Sequence, residues 1–134
     1  MAGTLVIDTL KSSTANPPVF QNTSGIEAGQ LCRAWVCFNG SSASIRASHN
    51  VSSVTRSATG AYSVNLSASM SDANYSVVAG CEVYAADTQA TAIMVNEGAG
   101  GATARTVNSI PLSCITTQTK TLVDKGWVNV AIFR

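Results

Sequence analysis

The chain has 134 residues, of which only 11% are charged, and its formal net charge is +1. That balance excludes the basic footprint of a nucleic-acid or anionic-lipid binder, and the length suits one domain with a short appendage. Hydrophobic residues make up 46% of the chain, but much of that share is alanine, so a thin core and buried surface shared between subunits are expected.

Ser and Thr abound while Leu, Glu and Lys are scarce, which favours strands and turns over helices. Met1-Ala2-Gly3 offers neither a basic start nor a long apolar run, so no secretory signal is expected. No stretch approaches the roughly 20 apolar residues of a membrane span. The expectation is a chain made and folded in a cytosol, without membrane insertion.

Residues 1–29 are set apart as an extended N-terminal arm, and residues 30–134 as the folded domain. In the arm, Thr4 to Leu10 could form a short strand. Pro17-Pro18 hold the chain extended, and Asn22-Thr23-Ser24-Gly25 signals a turn. Such an arm has little apolar surface to fold upon, so it is expected to engage neighbouring copies or a larger assembly.

From Gln30 onward short strands alternate with turns. Leu31 to Phe38 reads as a strand ending at Asn39-Gly40, a pair suited to a type I′ hairpin turn, with residues 44–51 returning. A strand over 51–56 and a turn at Ser57-Ala58-Thr59-Gly60 follow. Ala61-Tyr62-Ser63-Val64-Asn65-Leu66 alternates with period two, so Tyr62, Val64 and Leu66 share one half-buried face. Further strands are expected over 75–84 and within 103–117, where Pro111 points to an edge or a bulge. Trp127 to Arg134 alternates to the last residue, which predicts a C-terminal strand inside the sheet. Seven to nine short strands without helical period predict an all-β fold, an antiparallel β-sandwich or jelly-roll-like domain.

Some segments are also familiar as an ordered set. They are Cys32-Arg33-Ala34-Trp35-Val36 with Phe38-Asn39-Gly40, Ile45-Arg46-Ala47-Ser48, Asn50-Val51-Ser52-Ser53, Gly60 with Tyr62-Ser63-Val64-Asn65, Asp72-Ala73-Asn74-Tyr75, and the terminal Val128-Asn129-Val130-Ala131-Ile132-Phe133-Arg134. Over residues 2–134 the chain resembles the small β-domain at the distal, C-terminal end of bacteriophage tail fibres. The arm is similar to sequences preceding that domain in phages of aquatic bacteria, including cyanophages. Cys37 departs from the family's asparagine, and His49 from its small or aromatic residue. The resemblance implies a homotrimeric virion protein, synthesised in the bacterial host, that contacts the host surface from the tail rather than the capsid. The alternative is a capsid decoration or cement protein, and a remote one is a small glycan-degrading enzyme.

No catalytic site is predicted. The carboxylates Asp8, Glu27, Asp72, Glu82, Asp87, Glu97 and Asp124 form no paired motif, and no nucleophile signature is present. No cofactor or metal is expected either. Cys32, Cys37, Cys81 and Cys114 match no zinc spacing and read as reduced thiols, and lone His49 reads as a hydrogen-bonded or surface residue rather than an axial metal ligand. Arg33 and Arg46 read as partners of carboxylates or backbone carbonyls near a subunit interface rather than receptor contacts. Trp35, Phe38, Tyr75, Trp127 and Phe133 read as core or trimer-axis packing. The exposed recognition loops are placed at 85–91 and 96–102, with Tyr84, Asp87, Thr88, Gln89, Asn96 and Glu97 as receptor contacts. Partners expected are two further copies of the chain, other virion proteins through the arm, and a host surface glycan or protein.

Overall fold

A computed structural model describes residues 3, 6, 7, 9–11, 18–82, 90–95 and 104–134. The chain divides into two compact units, Met1–Leu31 and Cys32–Arg134.

In the first unit, β1 (Phe20–Gln21) pairs antiparallel with β2 (Glu27–Gly29). The turn expected at Asn22-Thr23-Ser24-Gly25 forms: Asn22 Oδ1 accepts the N–H groups of Ser24 and Ile26 at 3.0 Å each, and Gly25 takes a φ of 75°. Part of the arm is therefore a hairpin rather than extended chain, because the side chain of Asn22 and the freedom of Gly25 reverse it beyond the prolines. Every residue of both strands is exposed, as are Val19, Ile26 and Leu31.

In the second unit, β3 (Cys32–Phe38), β4 (Ile45–His49), β7 (Ser76–Cys81) and β10 (Val128–Phe133) form an antiparallel sheet ordered β4-β3-β10-β7. A second antiparallel sheet is ordered β5-β6-β9-β8, from β5 (Val51–Ala58), β6 (Ala61–Leu66), β8 (Thr91–Val95) and β9 (Ser109–Thr116). No helix occurs among the described residues. The fold is all-β and sandwich-like. The C-terminal strand lies inside its sheet, between β3 and β7.

Period-two alternation builds the interior. Ala34, Val36 and Phe38 of β3 and Val128, Val130 and Ile132 of β10 face Tyr62, Val64 and Leu66 of β6 and Ile110, Leu112 and Cys114 of β9 in one buried cluster. Met70 and Tyr75 close it. Phe38 meets Tyr62 edge-on, with ring centroids 5.2 Å apart at 74°, which links the sheets. This interior is fuller than the composition implied, because large side chains occupy the inward positions while alanines such as Ala47, Ala58 and Ala68 stand outside.

Three local expectations are corrected. Asn39-Gly40 is not a type I′ turn. The loop runs on to Ser44, whose carbonyl accepts the Asn39 N–H at 2.9 Å, and the positive φ of 55° falls at Ala43. Gly40 is required for another reason: a Cβ there would lie 2.6 Å from both the Lys125 carbonyl oxygen and the Tyr62 hydroxyl. The next turn narrows to Thr59-Gly60, with β5 continuing to Ala58 and Gly60 at a φ of 65°. Pro111 sits not on an edge but in β9, between β6 and β8. Cys114 N–H donates toward Gly60 on the β6 side. By alternation Pro111 then turns its donorless nitrogen the other way, one residue past the last described β8 pair, Val95 with Leu112. The strand expected over 75–84 is described only as Ser76–Cys81.

Candidate functional site

Inward Ala34, Val36 and Phe38 leave Arg33, Trp35 and Cys37 on the outer face of the first sheet. Strand register extends that face sideways. His49, Trp35, Ala131 and Val78 form one rung across β4, β3, β10 and β7, and Ala47, Cys37, Asn129 and Gly80 form the next. None of these eight residues is Lys, Arg, Asp or Glu. Trp35 is 40% exposed and Val78 62%. Between them the small Ala131 and Gly80 leave a shallow trough of about 450 Å³, lined also by Cys37 and Asn129. Its chemistry is apolar: it can take a hydrophobic side chain, and it holds no acid, base or nucleophile pair.

The outer face of the second sheet has the opposite character. The Asn65 amide donates to Ser53 Oγ at 3.0 Å and Thr55 Oγ1 at 3.2 Å and accepts from Ser109 Oγ at 3.1 Å. A polar ladder thus covers β5, β6 and β9, as on an antiparallel sheet facing water.

The edge strand β4 is exposed along its whole length. Arg46 is the extra residue of a β-bulge opposite Cys37 and Phe38. It donates to the Gly126 carbonyl at 3.0 Å and lies 4.0 Å from the centre of the Trp127 ring, a backbone contact joined to a cation–π contact. Trp127 is 47% exposed, so it and Trp35 stand outside the core of a single copy, whereas Phe38 and Tyr75 lie within it. Arg33 is half-buried on β3 and Phe133 half-buried on β10, opposite Cys32 and Ser76. His49 is exposed, the register partner of Trp35. At the crossing from β4 to β5, Asn50 takes a φ of 53°. Its amide donates to the carbonyls of Arg33 and Ala68 and accepts the Ala68 N–H.

Asp124 is a residue that no sequence motif singled out. Its carboxylate accepts from Arg56 Nη2 at 2.7 Å, Tyr62 Oη at 2.7 Å and Gly60 N–H at 2.8 Å. The hydrogen-bonded Arg56 guanidinium, with Gly60 and Tyr62 adding to it, holds the carboxyl down at about 2 against the cost of burial. Burial, followed by the Asp124 hydrogen bond, pushes Tyr62 well above its ordinary value. The group pins the loop before β10 onto the β5–β6 hairpin, and its acceptor sites are spent on structure. Asp72 pairs with Arg134 at 2.5 Å, and that hydrogen bond lowers its pKa.

Tyr84, Asp87, Thr88, Gln89, Asn96 and Glu97 lie outside the described residues. Among the described residues, no group of three or more His, Cys, Asp or Glu could hold a metal ion, and no helix is long and apolar enough to cross a membrane. Compared with protein-family models, curated proteins and solved structures, the chain matches none of them.

Proposed function

We propose that the chain is a non-enzymatic phage virion protein, a short tail fibre or fibre tip, that works as a homotrimer and contacts the host cell surface. The observation that carries this reading is the apolar trough on the outer face of the first sheet, with Trp35 and Val78 standing over Ala131 and Gly80. A tryptophan and a valine exposed on the same rung of a sheet face supply apolar surface for association. With no Lys, Arg, Asp or Glu on the two rungs, identical copies meet there without those charges opposing one another. The polar ladder on the second sheet then stays in water. The exposed apolar side chains of the first unit, among them Val19, Phe20, Ile26 and Leu31, supply surface for docking to other virion proteins. Three linked copies multiply a weak affinity for a surface glycan or protein, because the second and third contacts become intramolecular.

Light scattering on the purified chain at micromolar concentration tests the assembly, and a mass three times that of one copy is expected. A stable monomer would refute it. Immunogold labelling of virions tests the location: label at the tail end supports the fibre reading, and label over the capsid would replace it with a cement role. A fibre protein adsorbs to host cells, and failure to adsorb would remove the receptor-binding part.

A further inference from the structure

Cys81 is the last residue of β7, and Cys114 belongs to β9, so the two cysteines come from opposite sheets. Val77, Ala79 and Cys81 pack inward on β7, and Cys114 is fully buried. Alternation on both strands therefore brings the sulfurs to 3.6 Å across the interior, with the Cys114 thiol donating to Cys81 Sγ. Cys81 also donates to Thr91 Oγ1 at 3.2 Å. The other two thiols are placed differently. Cys32 donates to the Ala34 carbonyl of its own strand, and Cys37 faces outward in the trough.

We propose that Cys81 and Cys114 form a latent cross-sheet disulfide site, closed by thiol–disulfide exchange with a small-molecule disulfide such as oxidised glutathione. A sulfur–sulfur bond is about 2.05 Å long, so the two atoms must approach by roughly 1.5 Å for it to form. Cys81 is the more accessible partner. Its thiolate attacks one sulfur of the reagent, forming a mixed disulfide and expelling one small thiolate. Cys114, as thiolate, then attacks the Cys81 sulfur and expels the second. The protein loses two protons and two electrons, and the reagent's disulfide bond becomes two free thiols. Burial, then the hydrogen bond and charge of Cys81, push the Cys114 thiol up to about 12, with Lys125 opposing and Asp124 reinforcing the rise. The rise leaves Cys114 mostly protonated near neutral pH, so its attack draws on a small thiolate fraction. The bond would tie β7, an edge strand of the first sheet, to β9 inside the second. It would close a long loop that includes the 83–89 segment.

The test is equilibration of the full native chain with glutathione buffers of graded oxidation. Free thiols are then counted after denaturation and cross-linked peptides mapped by mass spectrometry. The expected result is a fall from four thiols to two, a loss of about 2 Da, and one peptide pair joining residues 81 and 114. A rise of the thermal midpoint by roughly 10 °C should accompany it. Cys81→Ala, which leaves the buried Cys114 in place, should abolish the loss, and a Cys32→Ala/Cys37→Ala variant should retain it. Four thiols surviving in oxidised glutathione alone would overturn the proposal. So would a mixed disulfide at Cys81 that never resolves, or a cross-link through Cys32 or Cys37 in place of the expected pair.

Discussion

Replacing Asp124 by alanine tests how the loop before β10 is held. The carboxylate receives hydrogen bonds from Arg56, Gly60 and Tyr62, and its side chain is 16% exposed. Its pKa falls from 3.8 to about 2. The Arg56 side chain is 32% exposed, so solvent screens the ion pair, and the charge-dependent part is discounted to about 1–2 kcal/mol. Asp124→Ala also strands the Tyr62 hydroxyl, on a residue only 2% exposed, and the Gly60 N–H, which adds about 1–2 kcal/mol. The sum is about 3 kcal/mol, or roughly a 10 °C fall in the thermal midpoint. Urea unfolding followed by tryptophan fluorescence measures it. The pH dependence has a fixed sign. A depressed carboxyl pKa stabilises the fold fully above the ordinary carboxylate range, and that contribution drains away as pH falls from near 4 toward 2. Asp124→Asn should lack this acid-labile component. In a Tyr62→Phe background the hydroxyl is already gone, so Asp124→Ala should there cost about 1 kcal/mol less. An Asp124→Ala variant within about 0.5 kcal/mol of wild type at neutral pH, or an asparagine variant with the acid dependence of the parent, would refute this role for the carboxylate.

Ala131→Glu places a charge in the trough, and light scattering should report a monomer with an unchanged circular dichroism spectrum. Thr55→Glu on the opposite outer face should leave the mass of the assembly unaltered. Gly60→Ala should destabilise by about 2 kcal/mol or more in chemical unfolding. Its φ is 65°, and a Cβ would lie 2.6 Å from the Cys114 carbonyl oxygen. Arg46→Ala should remove about 0.5–1 kcal/mol of cation–π stabilisation and shift Trp127 emission to the red.

What was legible in the chain was local. Tyr62, Val64 and Leu66 recur at period two, and the structure buries all three. The alternation of the C-terminal strand was equally plain, but its place between β3 and β7 depends on which strands pair, and no periodicity encodes that. On β3, the parity that separates Trp35 from Phe38 could be read in advance. Which set faces the core could not, since Arg33-Trp35-Cys37 and Ala34-Val36-Phe38 differ in amphipathicity only through Arg33. Asn39-Gly40 misled because the demand for glycine comes from Lys125 and Tyr62, distant in sequence, and not from the turn itself. Asp124 lies 62–68 residues from its partners, and Cys81 lies 33 from Cys114. Contacts of that separation leave no trace in spacing.

The contrast between the two outer faces bears on how copies would associate. On the second sheet, Asn65 and its Ser and Thr neighbours satisfy one another in the plane of the face, so covering that face with protein would displace water without adding apolar contact. On the first sheet, burying Trp35 and Val78 removes apolar surface from water, and the two rungs that carry them hold no Lys, Arg, Asp or Glu to desolvate. The same property carries a hazard, because apolar sheet faces beside an exposed edge strand such as β4 can also associate without limit. Closed rotational symmetry removes that hazard: three faces turned toward one axis consume one another and leave no free copy of the interface. The proposed three-fold assembly would bury the exposed Trp35 by having each chain offer two complementary parts of this face, one to each neighbour, because a closed ring of three is built from heterologous contacts.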